Sequence, residues 1–305
     1  MSDDSSKQRR RIGIFLWLLP LWLVLSAGAG IWLYFRGEAQ KDGIEQIRFA
    51  TEVNEAGLQD DMRKFLTFIR ERNVSSPAGV QGLTRAAAMI EGSLGPGNAG
   101  YRVERVRGPK TPVGNWPILV TTIQGKDESL KPVWVLAAYD SSVGSLGSEQ
   151  NATGTTSVLA AASALANATP NRPVIFAFLP HAYDAEAPLL EGFELFRQRA
   201  ANASEVLVIE SMGQGGELMI STRDAENRTL AVTDGIGEVI GAEAICMEDD
   251  FDLCSTLFEI GLPAVRVSTR HLVKPGEPDT HAPDPALHAA ATKALLELIG
   301  RLSEA

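Results

Sequence analysis

Three side chains that can bind a metal ion or carry a proton, His181, Asp184 and Glu186, lie within one six-residue loop. Histidine and carboxylate groups are ligands that zinc prefers, and a glutamate beside a metal-bound water can act as a general base. A histidine of the C-terminal loop, His271 or His281, would complete such a site. The competing interpretation is a polar loop whose charged groups are simply solvated.

Other polar groups follow apolar, strand-like runs along the chain. Asp140 and Glu210 end two such runs, and Gln150 and Asn151 lie in a glycine-rich stretch between them. Ligands of α/β sheets bind beyond the carboxyl ends of the strands, so we expect the loops after residues 138, 179, 210 and 268 to line a cleft. Together with Glu186, these groups predict a hydrogen-bonding cleft that binds a peptide terminus or a loop of a partner protein.

Several other chemistries lack their motifs in this sequence. There is no G-x-S-x-G turn for a serine hydrolase, and the glycine-rich stretch 144–154 has neither the P-loop ending nor dinucleotide-turn spacing. Glu248, Asp249, Asp250 and Asp252 lack the alternation of an EF-hand, which favours an exposed acidic turn. His288 lies in an amphipathic helical pattern and is predicted to be a surface or half-buried residue.

Charge and cysteine content narrow the classes of partner and scaffold. Four of the 28 basic and two of the 38 acidic residues lie in residues 1–11, which leaves the rest of the chain with a net charge of −12. This balance disfavours nucleic acid as a partner. Two cysteines, Cys246 and Cys254, exclude a disulfide-dense scaffold and a cysteine-based zinc site, and leave one optional bridge.

The remainder of the chain alternates between β-rich and helical patterns. Runs such as 133–137 and 174–178 are apolar at successive positions, which is typical of central strands covered on both faces. We therefore predict an α/β fold, a three-layer αβα sandwich around a mixed, centrally parallel sheet. The predicted strands are 101–107, 117–124, 132–138, 173–179, 205–210, 217–222 and 263–268. The predicted helices are 78–94, 153–167, 189–201, 228–241, 251–260 and 285–303.

One N-terminal segment is long enough to cross a membrane. Residues 12–35 are 24 consecutive uncharged residues, and a hydrocarbon core of about 30 Å needs about 20 at helical rise. The basic tail 1–11 places the N-terminus in the cytoplasm by the positive-inside rule. A cleaved signal peptide is the alternative, but the apolar run is longer than the apolar region of such peptides.

The predicted organisation follows from this segment. A cytoplasmic tail (1–11) and a transmembrane helix (12–35) precede a juxtamembrane helical segment (36–77) and one α/β domain (78–305). The protein is thus predicted to be a single-pass membrane protein, attached to the bilayer through residues 12–35, with its main domain periplasmic or extracellular.

Several motifs in the right order resemble the zinc-dependent aminopeptidases and carboxypeptidases, the family of bacterial leucyl aminopeptidase and glutamate carboxypeptidase. The resemblance runs from about Val80 to the C-terminus and implies the fold predicted above. Residues 136–141 resemble the family's strand ending in His-x-Asp-Ser, and residues 147–154 resemble its G-A-N-D-N-A-S-G loop. Residues 185–196 resemble G-E-E-P-G-L-L-G-S-x-x-F, residues 208–213 resemble N-L-D-M-x-G, and residues 259–265 resemble E-A-G-I-P-A-V.

The family holds two zinc ions with two histidines and three carboxylates, and a glutamate takes a proton from the metal-bound water. The resemblance implies Glu186 as the remnant general base and Glu210 as a remnant zinc ligand, with Asp140 retained beside them. The other positions carry residues that make poor or no ligands: Ala138, Gln150, Ala187 and Pro275. In a second alignment, without an insertion in the loop 180–187, Ala182 and Tyr183 take the two glutamate positions; the ligand carboxylate is lost either way.

Two function classes follow from this pattern. The first is a non-catalytic binding or scaffolding pseudopeptidase without a cofactor, as the resemblance to nicastrin and the transferrin receptor implies. The second is a hydrolase, an active metallopeptidase that binds zinc at an unconventional site. Each structural zinc site needs three or four ligands, and the count of remaining donors favours the first class.

Overall fold

A computed structural model describes residues 52–215, 217–234, 236–240, 253–273 and 277–304. The predicted membrane segment 12–35 lies outside these residues. Among the helices that are described, none is long and apolar enough to cross a membrane.

Within the described residues, eight strands form one mixed sheet at the centre of the domain. They are β1 Glu104–Val106, β4 Ile118–Ile123, β5 Val133–Ala138, β6 Val174–Leu179, β7 Glu205–Ile209, β8 Leu218–Ser221, β9 Gly237–Ile240 and β10 Ala264–Ser268. Their order in the sheet is β1-β4-β6-β5-β7-β10-β8-β9. Strands β6, β5, β7 and β10 are mutually parallel, whereas β1, β4 and β8 pair antiparallel with their neighbours toward the centre. Strand β9 pairs parallel with β8 at the far edge. A separate hairpin pairs β2 Lys110–Thr111 with β3 Gly114–Asn115.

Helices cover both faces of the sheet. They are α1 Glu55–Lys64, α2 Pro77–Leu94, α3 Thr153–Ala164, α4 Leu189–Arg199, α5 Arg228–Ala231, α6 Leu253–Glu259 and α7 Pro285–Glu304. The π-helical segment Phe65–Ile69 continues α1, and a second one, Ser148–Ala152, directly precedes α3. The first core lies between the sheet and α1, α2, α3 and α7, and the second lies between the sheet and α4 and α6. The predicted αβα sandwich with a parallel centre is therefore confirmed.

The chain places its apolar groups to suit this arrangement. In β5, Val133, Val135 and Ala137 face the first core, whereas Trp134 and Leu136 face the second. A strand buried on both faces needs such a continuous apolar run, because successive side chains point to opposite sides of the sheet. Local capping sets the helix starts, as at α2, where the Ser76 side chain accepts the Gly79 N–H.

The segment before the predicted domain also contributes to the first core. Met62, Phe65 and Ile69 of α1 and its π-helical continuation are buried there. The Asn54 side chain accepts the Gly57 N–H and caps the start of α1. The second half of the predicted juxtamembrane segment thus packs as part of the domain.

The predicted helix 228–241 is wrong. The chain forms only the short helix α5 and then β9, which pairs in parallel with β8 and aligns Gly237 with Leu218. Glycine and β-branched residues in 235–240 are poor helix formers, and the edge of the sheet offers backbone partners to this segment. Tertiary pairing outweighs the helical spacing of its apolar residues.

Candidate functional site

The four parallel strands β5, β6, β7 and β10 end at one edge of the sheet, where a cleft of about 680 Å³ opens. Each of the loops that follow these strands contributes to its lining, for example through Ser142, Tyr183, Ser211 and Leu272. The prediction that these four loops line a cleft is therefore confirmed. Its volume falls within the range of small-molecule binding pockets.

Glu210, predicted as a remnant zinc ligand, lies at this cleft and already has two hydrogen-bond donors. Arg266 of β10 donates its Nε–H to Oε1 of Glu210, and the Tyr183 hydroxyl donates to Oε2. The side chains of Glu210 and Arg266 are each 2% exposed. Burial and the Glu210 charge raise the pKa of Tyr183 well above its ordinary value, so its hydroxyl keeps the proton that it donates. The positively charged guanidinium of Arg266 thus lies where a cation is needed to balance the charge of the buried Glu210 carboxylate.

Asp140 shapes the loop that follows β6. Its Oδ2 atom accepts the backbone N–H groups of Ala182, Tyr183 and Asp184, at 2.8, 2.7 and 2.9 Å. Burial raises the pKa of Asp140 to about 6, although these three hydrogen bonds favour the carboxylate. Asp140 is fully buried and does not face the cleft directly. It therefore acts by holding the loop that carries Tyr183 toward Glu210.

Arg72 is a buried cation that the sequence analysis missed. Its guanidinium donates to the backbone carbonyls of Tyr139, Leu146 and Gly147 and to Oδ1 of Asn151, at distances of 2.6–3.1 Å. Burial lowers its pKa to about 10, so the group remains charged at neutral pH. Arg72 thereby ties the segment before α2 to the loop between β5 and α3.

Gln150 faces the cleft, but its amide is used within the protein. Its Oε1 atom accepts the Ser142 N–H at 3.0 Å, and its Nε2 atom donates to the Ser142 hydroxyl at 2.8 Å. Asp279 lies beside it and accepts the N–H groups of Glu149 and Gln150. The Glu149 carboxylate in turn accepts the Gly213 N–H at 3.1 Å. These bonds fasten the π-helical segment before α3 to the loops on both sides.

The loop carrying His181, Asp184 and Glu186 does not gather them into one site. His181 is buried with both ring nitrogens unpaired and packs edge-on against Trp116, and burial lowers its pKa to about 4. Asp184 is buried and accepts the N–H groups of Val74 and Glu186. The solvated-loop interpretation is therefore wrong for His181 and Asp184, because this loop folds inward onto Asp140. Within the described residues, no group of three or more His, Cys, Asp or Glu side chains could hold a metal ion.

Glu186, predicted as a remnant general base, is exposed and does not line the cleft. Ala182 and Tyr183 stand closer to the end of β6, and both line the cleft. This placement favours the second alignment, in which these two residues take the family's glutamate positions. Glu186 then takes neither of the two glutamate positions.

Only some of the residues that were predicted to line the cleft do so. Gln150 and Glu210 line it, whereas Ala138, Asn151 and Ala187 are buried without lining it, and Pro275 lies outside the described residues. His271 and His281 are exposed. The acidic run 248–252 also lies outside the described residues.

The prediction for His288 is wrong, because this residue is buried between α7 and α3. Its Nε2 atom lies 2.9 Å from the Ser157 hydroxyl and 3.1 Å from the Thr153 carbonyl oxygen. Burial lowers its pKa to about 4, so the ring is neutral at pH 7. The amphipathic pattern of α7 did not indicate that His288 would contact polar groups of α3.

The donors that the described residues place at this edge of the sheet do not fit a zinc centre of the resembled kind. Zinc needs three or four ligands, and Ala138 and Ala182 offer no side-chain donor. Gln150 is committed to Ser142, and Glu210 is held by a guanidinium whose positive charge would repel a dication.

Comparison with known proteins agrees with the fold. Residues 119–241 match the sequence model of Peptidase family M28. No curated protein sequence matches the chain. The predicted resemblance to the zinc aminopeptidase and carboxypeptidase family is confirmed by this match and by the solved structures that share the fold.

Three of these structures illustrate the likeness. The LapA aminopeptidase of Legionella pneumophila superposes with a TM-score of 0.60 at 17% identity, over 83% of this chain and 73% of that one. A glutaminyl cyclase from an Acidobacteriales bacterium gives 0.57 at 14% identity, over 83% and 95% of the two chains. A leucine aminopeptidase precursor from Bacteroides thetaiotaomicron gives 0.57 at 12% identity, over 81% and 97%. At these identities the likeness establishes the fold alone.

Proposed function

We propose that this chain is a membrane-anchored, non-catalytic relative of the M28-type peptidases whose strand-end cleft binds a protein or peptide. The observation that carries the proposal is the buried ion pair between Glu210 and Arg266, which the Tyr183 hydroxyl completes. The carboxylate expected to hold zinc has its charge balanced within the protein.

The chemistry of metal-assisted hydrolysis explains why this pair matters. The metal ion lowers the pKa of its bound water from about 15.7 to about 7, which generates the nucleophile at neutral pH. A general base alone contributes about 10²- to 10⁴-fold, less than the 10⁶-fold or more that is typical of enzymes. Without the ion, none of the described lining residues supplies a comparable nucleophile.

Zinc content and peptidase activity test this proposal together. We expect the purified protein to contain well under one zinc per chain and to leave aminoacyl and dipeptide substrates intact. Glu210→Gln is the matched variant, and circular dichroism must first show that it folds, because it leaves the buried Arg266 without its carboxylate. Chelator-sensitive hydrolysis that disappears in Glu210→Gln would refute the proposal in favour of the alternative, a metallopeptidase with an unconventional zinc site.

The membrane anchor forms a second part of the proposal and rests on the sequence of residues 1–35. The 24-residue uncharged run and the basic tail before it support a cytoplasmic N-terminus and an extracytoplasmic domain. A reporter active only in the cytoplasm should be silent at the C-terminus and active at the N-terminus. Activity at the C-terminus would refute this orientation.

A further inference from the structure

We infer that a second pocket, between α1 and the start of α7, binds a small neutral aromatic molecule that carries one hydrogen-bond donor, such as an indole or a phenol. Its volume is about 520 Å³, within the range of small-molecule binding pockets. None of its described lining residues also lines the strand-end cleft. The inference therefore goes beyond the proposed function and does not depend on it.

Apolar side chains form most of the walls of this pocket. Leu58, Met62 and Leu66 line it from α1 and the π-helical continuation of α1, and Pro283 and Pro285 line it from the beginning of α7 and the loop before it. Leu58 and Met62 are buried, so the inner part of the pocket is closed by the core of the domain. Contact with such walls favours a ligand with a large apolar surface.

His288 is the one buried polar side chain among the described residues that line this pocket. It is 1% exposed, and its Nε2 atom lies 2.9 Å from the Ser157 hydroxyl and 3.1 Å from the Thr153 carbonyl oxygen. A carbonyl oxygen can only accept a hydrogen bond. The Nε2 atom must therefore carry the ring proton in order to bond with Thr153.

The neighbouring hydroxyl groups agree with this position of the proton. The Thr292 hydroxyl donates to the His288 carbonyl oxygen at 2.8 Å, so its oxygen can accept from the Ser157 hydroxyl, 2.8 Å away. The Ser157 oxygen is then left to accept the Nε2–H of His288. Burial lowers the pKa of His288 to about 4, so the ring carries one proton at pH 7. The Nδ1 atom is therefore unprotonated and can only accept.

This Nδ1 atom is the polar group that His288 presents to the pocket. Both hydrogen-bond partners of the ring lie at Nε2, and no described residue bonds to Nδ1. It is not sealed inside the protein either, in contrast to both ring nitrogens of His181. An acceptor without a partner in an apolar pocket favours a ligand that brings one O–H or N–H donor.

The same surroundings favour a ligand that is neutral and aromatic. A neutral imidazole gives an anion no countercharge, and burial of an ammonium group among apolar side chains costs several kcal/mol. Asp60 and Arg63, the charged residues of the described lining, form an ion pair with each other. Indoles and phenols combine a flat apolar ring with a single donor, and the sulfur of Met62 can make favourable contacts with such a ring.

Three related probes test the inference on the purified full-length protein in detergent micelles. Indole has the ring and the N–H donor, N-methylindole lacks the donor, and indole acetate adds a negative charge. Titrations followed by saturation-transfer NMR give the affinities. We expect indole to bind at least ~10-fold more tightly than either of the others, which corresponds to ~1.4 kcal/mol. Equal binding of N-methylindole or of indole acetate would overturn the inference.

Substitutions of two exposed alanines locate the binding. Ala56 lies on α1 and lines the pocket, so Ala56→Trp adds a ring at the pocket without entering the core and should weaken indole binding at least ~10-fold. Ala290→Trp is the matched control, because Ala290 is exposed on α7 outside the lining, and it should leave binding unchanged. Equal binding to the unchanged protein and to Ala56→Trp would assign indole to the micelle or to another site and overturn the inference.

Nitrogen NMR of isotope-labelled histidine tests the protonation of His288 directly. The chain contains four histidines, so substitution of the other three in turn assigns the His288 signals. We expect the proton on Nε2, and indole should shift the Nδ1 signal whereas N-methylindole should not. A proton on Nδ1 in the protein without a probe would overturn the inference. None of these readouts depends on zinc content or peptidase activity, so the proposed function can fail or hold independently.

A peptide probe separates a small molecule from a side chain of a partner protein. The probe is an acetylated and amidated tripeptide with tryptophan between two glycines, which carries the same ring and donor as indole. We expect it to bind more weakly than indole. Tighter binding of the peptide would replace the small molecule with a polypeptide ligand and overturn the inference in this form.

Discussion

Arg266 of β10 donates its Nε–H to the carboxylate of Glu210, which directly follows β7, and both side chains are almost completely buried. The two strands are parallel neighbours, so the sheet itself fixes the distance between the charges. The attraction within a buried pair of this kind offsets part of the large cost of removing each ion from water, and the loss of one partner leaves the other uncompensated. The pair therefore links β10 to the end of β7 and also balances the charge of a carboxylate that lines the cleft.

Replacement of Arg266 by Met should reduce the free energy of unfolding by about 3–5 kcal/mol, because Glu210 would remain buried without its cation. Urea denaturation measures this change. Arg270→Met is the control, since Arg270 and Glu277 are 19% and 31% exposed and such pairs contribute about 1 kcal/mol or less. Equal effects of the two substitutions would contradict a special role for Arg266.

Replacement of Arg72 by Lys should destabilise the protein by about 2–4 kcal/mol. Lysine keeps the charge but cannot direct donors at three carbonyl oxygens and the Asn151 amide, so buried acceptors are left unpaired. Arg85→Lys is the control, because Arg85 is exposed and donates to Phe68 and Gln81 near the surface. Its free energy of unfolding, measured by urea denaturation, should change by no more than about 0.5 kcal/mol.

The fold was readable from the sequence because continuous apolar runs identify strands buried on both faces. The runs that became β5 and β6 specified the parallel centre, and the order of the loops placed Glu210 at the cleft. The strands and the loop order can both be predicted from residues that are close together in the chain, because the spacing of apolar residues within a short segment indicates its structure and its burial.

The contacts that define the site could not be predicted from the sequence in the same way. Arg72 and Arg266 are far in sequence from the groups they contact, and an isolated arginine is usually a surface residue. Their burial depends on which strands and loops become neighbours, which periodicity does not specify. The apolar residues on both sides of Arg266 in β10 are the one signal that could have placed its side chain inside.

Substitution of Gln150 by Asp, which restores the carboxylate found in the resembled family, should not by itself produce zinc binding. The other ligand positions still lack donors, and Glu210 remains bound to Arg266 and Tyr183. Metal analysis after dialysis against zinc should find the same zinc content in Gln150→Asp and in the unchanged protein. One zinc per chain in the single variant would show that the ligand set has been misidentified.

Glu149 should make the protein less stable as the pH rises from about 4.5 to about 7. Burial, with a smaller contribution from Asp279, raises the pKa of Glu149 to about 7, while the Gly213 N–H and Arg270 partly oppose this shift. The folded state then retains a proton that the unfolded chain has lost, so the free energy of unfolding falls across this interval and levels off above pH 7.

Glu149→Gln removes this ionisation and keeps an oxygen that can accept the Gly213 N–H. At pH 8 the variant should be more stable than the unchanged protein by about 1–3 kcal/mol, and the difference should vanish near pH 4.5. Asp140 titrates with the same sign, and the buried rings of His181 and His288 titrate with the opposite sign, but all three cancel in the comparison. Exposed Glu186→Gln is the matched control, with an expected change under about 0.5 kcal/mol. Urea titrations at each pH measure both variants, and a Glu149→Gln protein that is less stable than the unchanged one at pH 8 would contradict the assignment of a buried, protonatable carboxyl to this position.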